Sequence, residues 1–467
     1  MKLFRLFIAA SFLVCLFTGS LTNQRVSESA SAKAPSLAFS SAELKRTTKE
    51  TTIVPNIGTF QAGTLTVSGN GRRFAYARKE SKGWVVEVDG KVEAMFKAVG
   101  IVHGPVGIYA QVGLLDFVGV KPMIFSADSR HLAYSAREDD SWFMVKDGEK
   151  SKPFKSVGSP ILSSDGQRLA FAAQVPGGWC MVVDENPGKP FEKLGPPAFS
   201  PDGRRLAYAA RSEGKERMVV DGVEGKVYES LDVVSGLGAW LAFPNMVAEF
   251  PVFSADGRLA HHGKLAGKWH IVVEGHDSEA FDKVGDIVFS PDGKHIAFSA
   301  RKPRWTVVVD GKDQGVFDET PYVNFGPDSK RVVMVGETGG KQTISVDGKE
   351  LGTYQGIGVP SFSPDSSRVA YAFRTGKQWS AVIDGVTQKA YLSVDPPVFS
   401  PDGKHVAYVA AVSKDRWTVV VDGVEGKIYD GILKGSKIVF ADNTHFHYFV
   451  ISGKGIVFVE EELQTTP

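Results

Sequence analysis

The chain has 467 residues, with 54 Lys and Arg against 53 Asp and Glu and a formal net charge of +1. That length holds one large domain or two to three ordinary ones, and the even charge balance argues against a general nucleic-acid binder. Its 50 Gly and 24 Pro, beside frequent Val, Phe and Tyr, suit many short strands joined by tight turns.

The first element is a targeting segment. Lys2 and Arg5 precede an apolar stretch from Leu6 to Phe17, and Thr18-Gly19-Ser20 follow as small residues. The stretch is short against the ~20 residues that span a bilayer, so residues 1–20 read as a cleaved secretory signal. The expected address is the bacterial periplasm or the exterior, with no stable membrane insertion after cleavage. Cys15 leaves with the signal, and Cys180 alone cannot form an intrachain disulfide. Residues 21–50, rich in Ser, Ala and Lys, read as a flexible linker.

From residue 51 a repeat takes over. A turn Asp or its equivalent falls at Asn70, Asp128, Asp165, Asp202, Asp256, Asp292, Asp328, Asp365, Asp402 and Asp442, a spacing of about 37 residues with two long exceptions. One unit, Asp286 to Thr320, divides into strand A (DIVFS), the turn SPDG, strand B (KHIAFSA), strand C (RWTVVVDG) and, after an Asp-Gly turn, strand D (GVFDET). Four short antiparallel strands per repeat describe a β-propeller blade, and no sustained 3.6 period supports a helical solenoid. The expected fold is all-β, about ten blades in one ring over residues 51–463 with a tail at 464–467. Two smaller propellers divided near 230–250 are the alternative.

The last unit ends after strand C, and TTIVPNIGTF before the first strand A has the phase of a D strand. Residues 52–60 are therefore expected to complete the last blade and remove an open edge. Trp84, Trp142, Trp179, Trp269, Trp305, Trp379 and Trp417 all start strand C, which assigns them to blade packing. His131, His295 and His405 share a phase with Arg73, Arg168, Arg205 and Arg331 and read as interchangeable strand residues, not ligands.

The phrases FSPDGKHIAFSA, FSPDGRRLAYAA and FSPDGKHVAYVA resemble the WD40-like propeller repeat of TolB and related bacterial periplasmic proteins. The resemblance covers about residues 60–460 and implies a propeller and a role in the cell envelope. The chain departs from that family in having more units, in ending strand C with VVVDG, and in lacking a separate N-terminal domain.

Function is sought where the repeat breaks. Residues 99–120 and 231–250 are apolar, Gly-rich insertions, expected to join strand D of one blade to strand A of the next at one face. Tyr109, Trp240 and Phe243 within them are the candidate partner-binding residues. The competing role for both insertions is to plug the channel or pack on each other. In unit five His261 replaces the strand-B aromatic, and with His270 it could form a metal pair across the B–C hairpin. No third ligand is evident, so no metal or other cofactor is assigned. No G-x-S-x-G elbow or nucleotide-binding Gly loop occurs. The sequence thus points to an exported, non-catalytic propeller that binds a protein or glycan. The alternative is a propeller-only hydrolase or lyase using channel carboxylates.

Overall fold

The computed structural model describes residues 44–56, 64–100, 103–104, 107–108, 123–231, 251–433 and 436–464. They form a ten-bladed β-propeller, a single ring of four-stranded antiparallel blades. The blades are numbered by their B strands: Phe74–Glu80, Leu132–Glu138, Leu169–Val175, Leu206–Ser212, Leu259–Leu265, Ile296–Arg301, Val332–Thr338, Val369–Thr375, Val406–Ser413 and His445–Ser452. Strand A of most blades neighbours strand A of the next, so the A strands stand around the axis and the D strands form the rim.

The repeat phrase builds each blade through its turns. The Asp of every Asp-Gly between strands C and D has positive φ, as at Asp310 (47°) and Gly311 (77°). This is the conformation a two-residue hairpin of right-twisted strands requires. Asp310 Oδ1 accepts the N–H of Ile296 at 3.0 Å, while Oδ2 receives His295 Nδ1 at 2.7 Å. In the A–B turn, Ser290 donates to Asp292 Oδ1 at 2.6 Å and the Lys294 N–H does so at 3.0 Å. The turn carboxylates are therefore saturated by local donors.

Blades join through aromatic pairs. The D-strand ring of one blade meets the B-strand ring of the next edge-on, as in Phe96–Tyr134, Phe281–Phe298 and Tyr391–Tyr408. The strand-C Trp lies opposite that D-strand ring, with Trp84 facing Phe96 and Trp379 facing Tyr391. Trp142 packs into a buried cluster with Phe171 and Cys180 of blade 3.

A second joint uses the Arg that shares its phase with the histidines. Arg368 pairs with Asp384 of its own blade at 2.8 Å, donates to the carbonyls of Gly403 and Lys404 in blade 9, and lies over the Phe399 ring at 5.2 Å. Arg73, Arg168 and Arg331 repeat this arrangement. His131, His295 and His405 keep the pairing to the turn Asp.

Closure uses the N-terminal strand, but an earlier stretch than 52–60. Lys45–Val54 runs antiparallel to Gly455–Gln464, with Lys45 opposite Gln464 and Val54 opposite Ile456. The linker expected over 21–50 therefore ends before Lys45. The cause is chemical: Arg46 reaches inward to Glu461 at 2.5 Å in a nearly solvent-free ion pair, and Glu50 accepts from Lys427 and Tyr429 of blade 9.

Candidate functional site

The expected position of the insertions is corrected by the inner strands. In most blades strand A does not run straight along strand B. It leaves the ladder at mid-height for two or three residues and then returns. In blade 6, Val284 lies opposite Ala300 and Ile287 opposite Phe298, with Gly285 and Asp286 bulged between. Gly158–Pro160, Gly195–Pro196, Gly358–Pro360 and Asp395–Pro397 occupy the same place in blades 3, 4, 8 and 9. Proline suits it because the bulge needs no ladder donor.

Both insertions are enlarged versions of this bulge. In blade 2, Val99 pairs with Ala136 and the strand resumes at Met123 opposite Tyr134. In blade 5, Ser230 bridges Lys264 and the strand resumes at Val252 opposite Ala260. They therefore interrupt strand A on the channel wall instead of linking D to A at an end of the ring. The first contains a short ladder, His103–Gly104 against Gly107–Ile108. Tyr109, Trp240 and Phe243 lie outside the described residues.

The second insertion has a built root. Glu216 stands where most blades carry the strand-C Trp, lies opposite Tyr228, and is 2 % exposed. Its Oε2 accepts the N–H of Leu231 at 2.6 Å. Gln342 does the same for Ile357 between blades 7 and 8, at 2.7 Å.

The strand-B residue opposite the bulge is apolar in most blades: Ala77, Ala172, Ala209, Val335, Ala372, Val409 and Phe449. It is polar in blades 2, 5 and 6: Ser135, His262 and Ser299. His262 Nε2 donates to the Gly285 carbonyl at 2.8 Å, and burial brings its pKa down to about 4. Asp286 and Asp395 sit in the bulges themselves. Asp286 is half-buried and Asp395 exposed at its surface, and crowding by the surrounding protein raises the pKa of both, with no donor or cation among the described residues contributing.

The histidines of unit five do not converge. His261 lies opposite Val272 and His270 opposite Gly263. His261 fills the aromatic position, edge-on to Tyr228 at 5.7 Å, and donates Nδ1 to the His262 carbonyl. His270 Nδ1 donates to the Ser278 carbonyl at 2.8 Å. Among the described residues no group of three or more His, Cys, Asp or Glu is placed to hold a metal.

The sequence reading missed Glu216, the channel carboxylates and the bulge. Gly and Pro inside a predicted strand, as in VGSPIL, LGPPAF and VDPPVF, were the available signal.

No family model matches the chain, and no curated protein matches it. Among solved structures it is similar to a crystal structure of the eukaryotic initiation factor, at 13% identity and a TM-score of 0.41, over 70% of this chain and 88% of that one. It is also similar to the Dos1 propeller, at 10% identity and a TM-score of 0.35, over 64% and 90% of the two chains.

Proposed function

We propose that this chain is an exported, non-catalytic binding scaffold that engages a protein or glycan partner in the cell envelope or outside the cell. Lys2, Arg5 and the apolar stretch to Phe17 support export, and the resemblance of FSPDGKHIAFSA and its copies to TolB-like repeats supports the envelope setting. One observation carries the binding role. The two longest departures from the repeat enlarge the same bulge of the inner strand, at the same height on the channel wall. The ring thus concentrates its longest departures from the repeat on the channel wall, where a partner inside the channel would meet them.

The hydrolase or lyase reading needs two acids a few ångströms apart across a scissile bond. Asp286 and Asp395 stand on blades 6 and 9, with two whole blades between them.

The test replaces residues 101–121 and 232–250 with the Gly-Val-Pro link of blade 8 and compares affinity capture from the native envelope. The melting temperature is expected to stay within a few degrees while capture is lost. Within the second insertion, Trp240→Ala is expected to cost roughly thirtyfold in affinity, as a truncated aromatic anchor does. Unchanged capture by the double replacement rules out the insertions as the partner surface.

A further inference from the structure

At the end of the ring formed by the B–C hairpins, the joint between blades 7 and 8 departs from its neighbours in charge. In blades 5 and 6 the residue before the strand-C Trp is a cation, Lys268 or Arg304. It pairs with the acid that follows the D-strand Phe, Lys268 with Asp282 and Arg304 with Asp318, the latter at 2.6 Å. In blade 7 the same phase holds Lys341, beside the Gln342–Tyr354 pair of the ladder, but the residue after Tyr354 is Gln355. Gln355 keeps one task of Asp318. Asp318 Oδ2 accepts the N–H of Gly339 in the blade 7 hairpin at 2.8 Å, and Gln355 Oε1 accepts the N–H of Gly376 in the blade 8 hairpin at 2.8 Å. It does not supply the charge. The blade 8 hairpin carries Lys377 next to Gly376, and strand B of blade 8 carries Arg374. Arg374 donates an Nη to the Gln355 carbonyl at 3.2 Å and lies across Gly356, where a Cβ would stand 3.3 Å from Nε. That Nε has no hydrogen-bond partner among the described residues. Nor does Lys341, Arg374 or Lys377 form an ion pair there, and Lys341, Gln355 and Lys377 are all exposed. Glu337, the nearest acid in sequence, stands opposite Gln342, and the pleat turns it to the other face of the sheet from Lys341.

We propose that Lys341, Arg374 and Lys377, grouped around Gln355, form a recognition site for a phosphomonoester dianion. Blades 5 and 6 show that the fold at this phase accepts an acid, and blade 7 puts a neutral amide there while keeping the cation. The local positive charge is thus left without an internal counter-charge. The Arg374 guanidinium offers five N–H donors in a planar fork and spends one on Gln355, and each ammonium adds donors that adjust their direction. A phosphomonoester presents three acceptor oxygens and close to two charges, so it can take donors from all three cations at once. A carboxylate offers two oxygens and one charge. Asp282 and Asp318 are the internal comparison, because with either acid in place the cation is already paired. The proposal does not depend on the partner surface of the insertions, which interrupt blades 2 and 5: the protein with both insertions replaced is expected to keep the site.

The experiment titrates the full chain by calorimetry at pH 7.5, where the ester is mostly dianionic, with glucose 6-phosphate, glucose and inorganic phosphate. Glucose 6-phosphate is expected to bind and glucose to give no heat. Gln355→Glu supplies the missing acid and is expected to cost about tenfold or more in affinity. It is expected to keep the melting temperature, since Glu229 Oε2 already accepts the N–H of Gly267 from the same phase at 3.2 Å. Arg374→Gln is expected to lose about as much and Lys341→Gln severalfold. Lys414→Gln, which removes an exposed cation from the blade 9 hairpin, is expected to change nothing. Should Arg374→Gln misfold, the Gln355→Glu result stands alone. Support comes in two forms: an ester about tenfold tighter than inorganic phosphate identifies a phosphate carried on a larger molecule, and equal affinities identify free phosphate. The proposal is overturned if glucose 6-phosphate does not bind, if Gln355→Glu binds as the parent does, or if Lys414→Gln loses as much as Lys341→Gln, which would show an undirected field in place of a site.

Discussion

Glu216 Oε2 accepts the backbone N–H of Leu231 at 2.6 Å, from a side chain 2 % exposed, at the point where the inner strand of blade 5 departs into the second insertion. A repeat-phase Trp has no acceptor to offer that N–H. The acid is thus a local exchange of packing surface for a hydrogen bond, made beside one of the two largest breaks in the repeat.

Glu216→Ala is expected to lower stability by about 1–3 kcal/mol, the cost of leaving a buried donor unmet. Glu216→Gln is expected to be much milder, because Gln342 already performs the same task for Ile357. Denaturant unfolding of the two variants checks this, and equal losses would show that the carboxylate charge, not the acceptor oxygen, is what the site needs. Limited proteolysis adds a local readout, with cleavage within 232–250 expected to speed up in the Ala variant alone.

The closing strand gives a second test. Removing residues 21–43 is expected to leave the melting temperature unchanged, whereas removal through Val54 strips the outer strand from blade 10 and unfastens Glu50 from blade 9. Within the strand, Arg46→Ala leaves Glu461 buried with Tyr448 as its one side-chain donor among the described residues. That loss is expected to cost about 3–5 kcal/mol, as unpairing a buried charge does. Thermal melts of the two truncations and the point variant decide the matter. If both truncations melt alike, Lys45–Val54 is not the clasp.

Most of the ring could be read from the chain, for a physical reason. Each blade buries both faces of strands B and C against neighbours, so their aromatic and small residues recur in fixed phase, and the turns need Asp and Gly at fixed places. Two misreadings share the opposite property. Lys45–Val54 is an outer strand, exposed along most of its length, and KRTTKETTIV carries no buried alternation to separate it from a tether. The inner strand is anchored on one side only and faces the channel on the other. A break in its ladder costs little, and Gly-Ser-Pro or Asp-Pro-Pro there resembles an ordinary loop. Functional residues are the least legible: Tyr109, Trp240 and Phe243 stand outside the repeat and outside the described residues, while Asp286 is hidden inside the repeat.

The inter-blade Arg makes a prediction about tolerance. Arg368 joins blade 8 to blade 9 through two carbonyls and the Phe399 ring. Arg368→Ala is expected to cost about 1–3 kcal/mol through lost charged hydrogen bonds and stem packing. Arg368→His, copying His405 against Asp422, is expected to recover the pairing to Asp384 and cost less than half as much near pH 6. Equal losses for Ala and His, measured by urea unfolding at that pH, would assign the whole effect to the contacts with blade 9.

His447 supplies the last prediction, through pH. It stands where other B strands carry Ala75, Ala133, Ala170, Ala207, Ala260, Ala297, Ala370 and Ala407, and it is 5 % exposed. Its Nε2 has no partner among the described residues and presses on Gly71 of blade 1, across the seam where the ring closes. Burial holds its pKa below 6.5, Arg72 adds to that, and Glu460 opposite it in the ladder opposes it. The unfolded chain therefore takes up a proton near pH 6.5 that the folded ring refuses. Its contribution is complete above that pH and is lost as the pH falls below it, at up to about 1.4 kcal/mol per pH unit for each proton. His261 and His262, also lowered by burial, act with the same sign. His405, raised by Asp422, acts with the opposite sign: its contribution is present below 6.5 and fades as the pH rises through its folded value. The turn carboxylates, lowered from 3.8 as at Asp292, titrate outside this window. Unfolding free energy is thus expected to fall between pH 7.5 and 5, and His447→Gln, which cannot titrate, is expected to fall less steeply from whatever stability it starts with. Parallel curves for the parent and His447→Gln would show that the closing seam takes no part in the acid response.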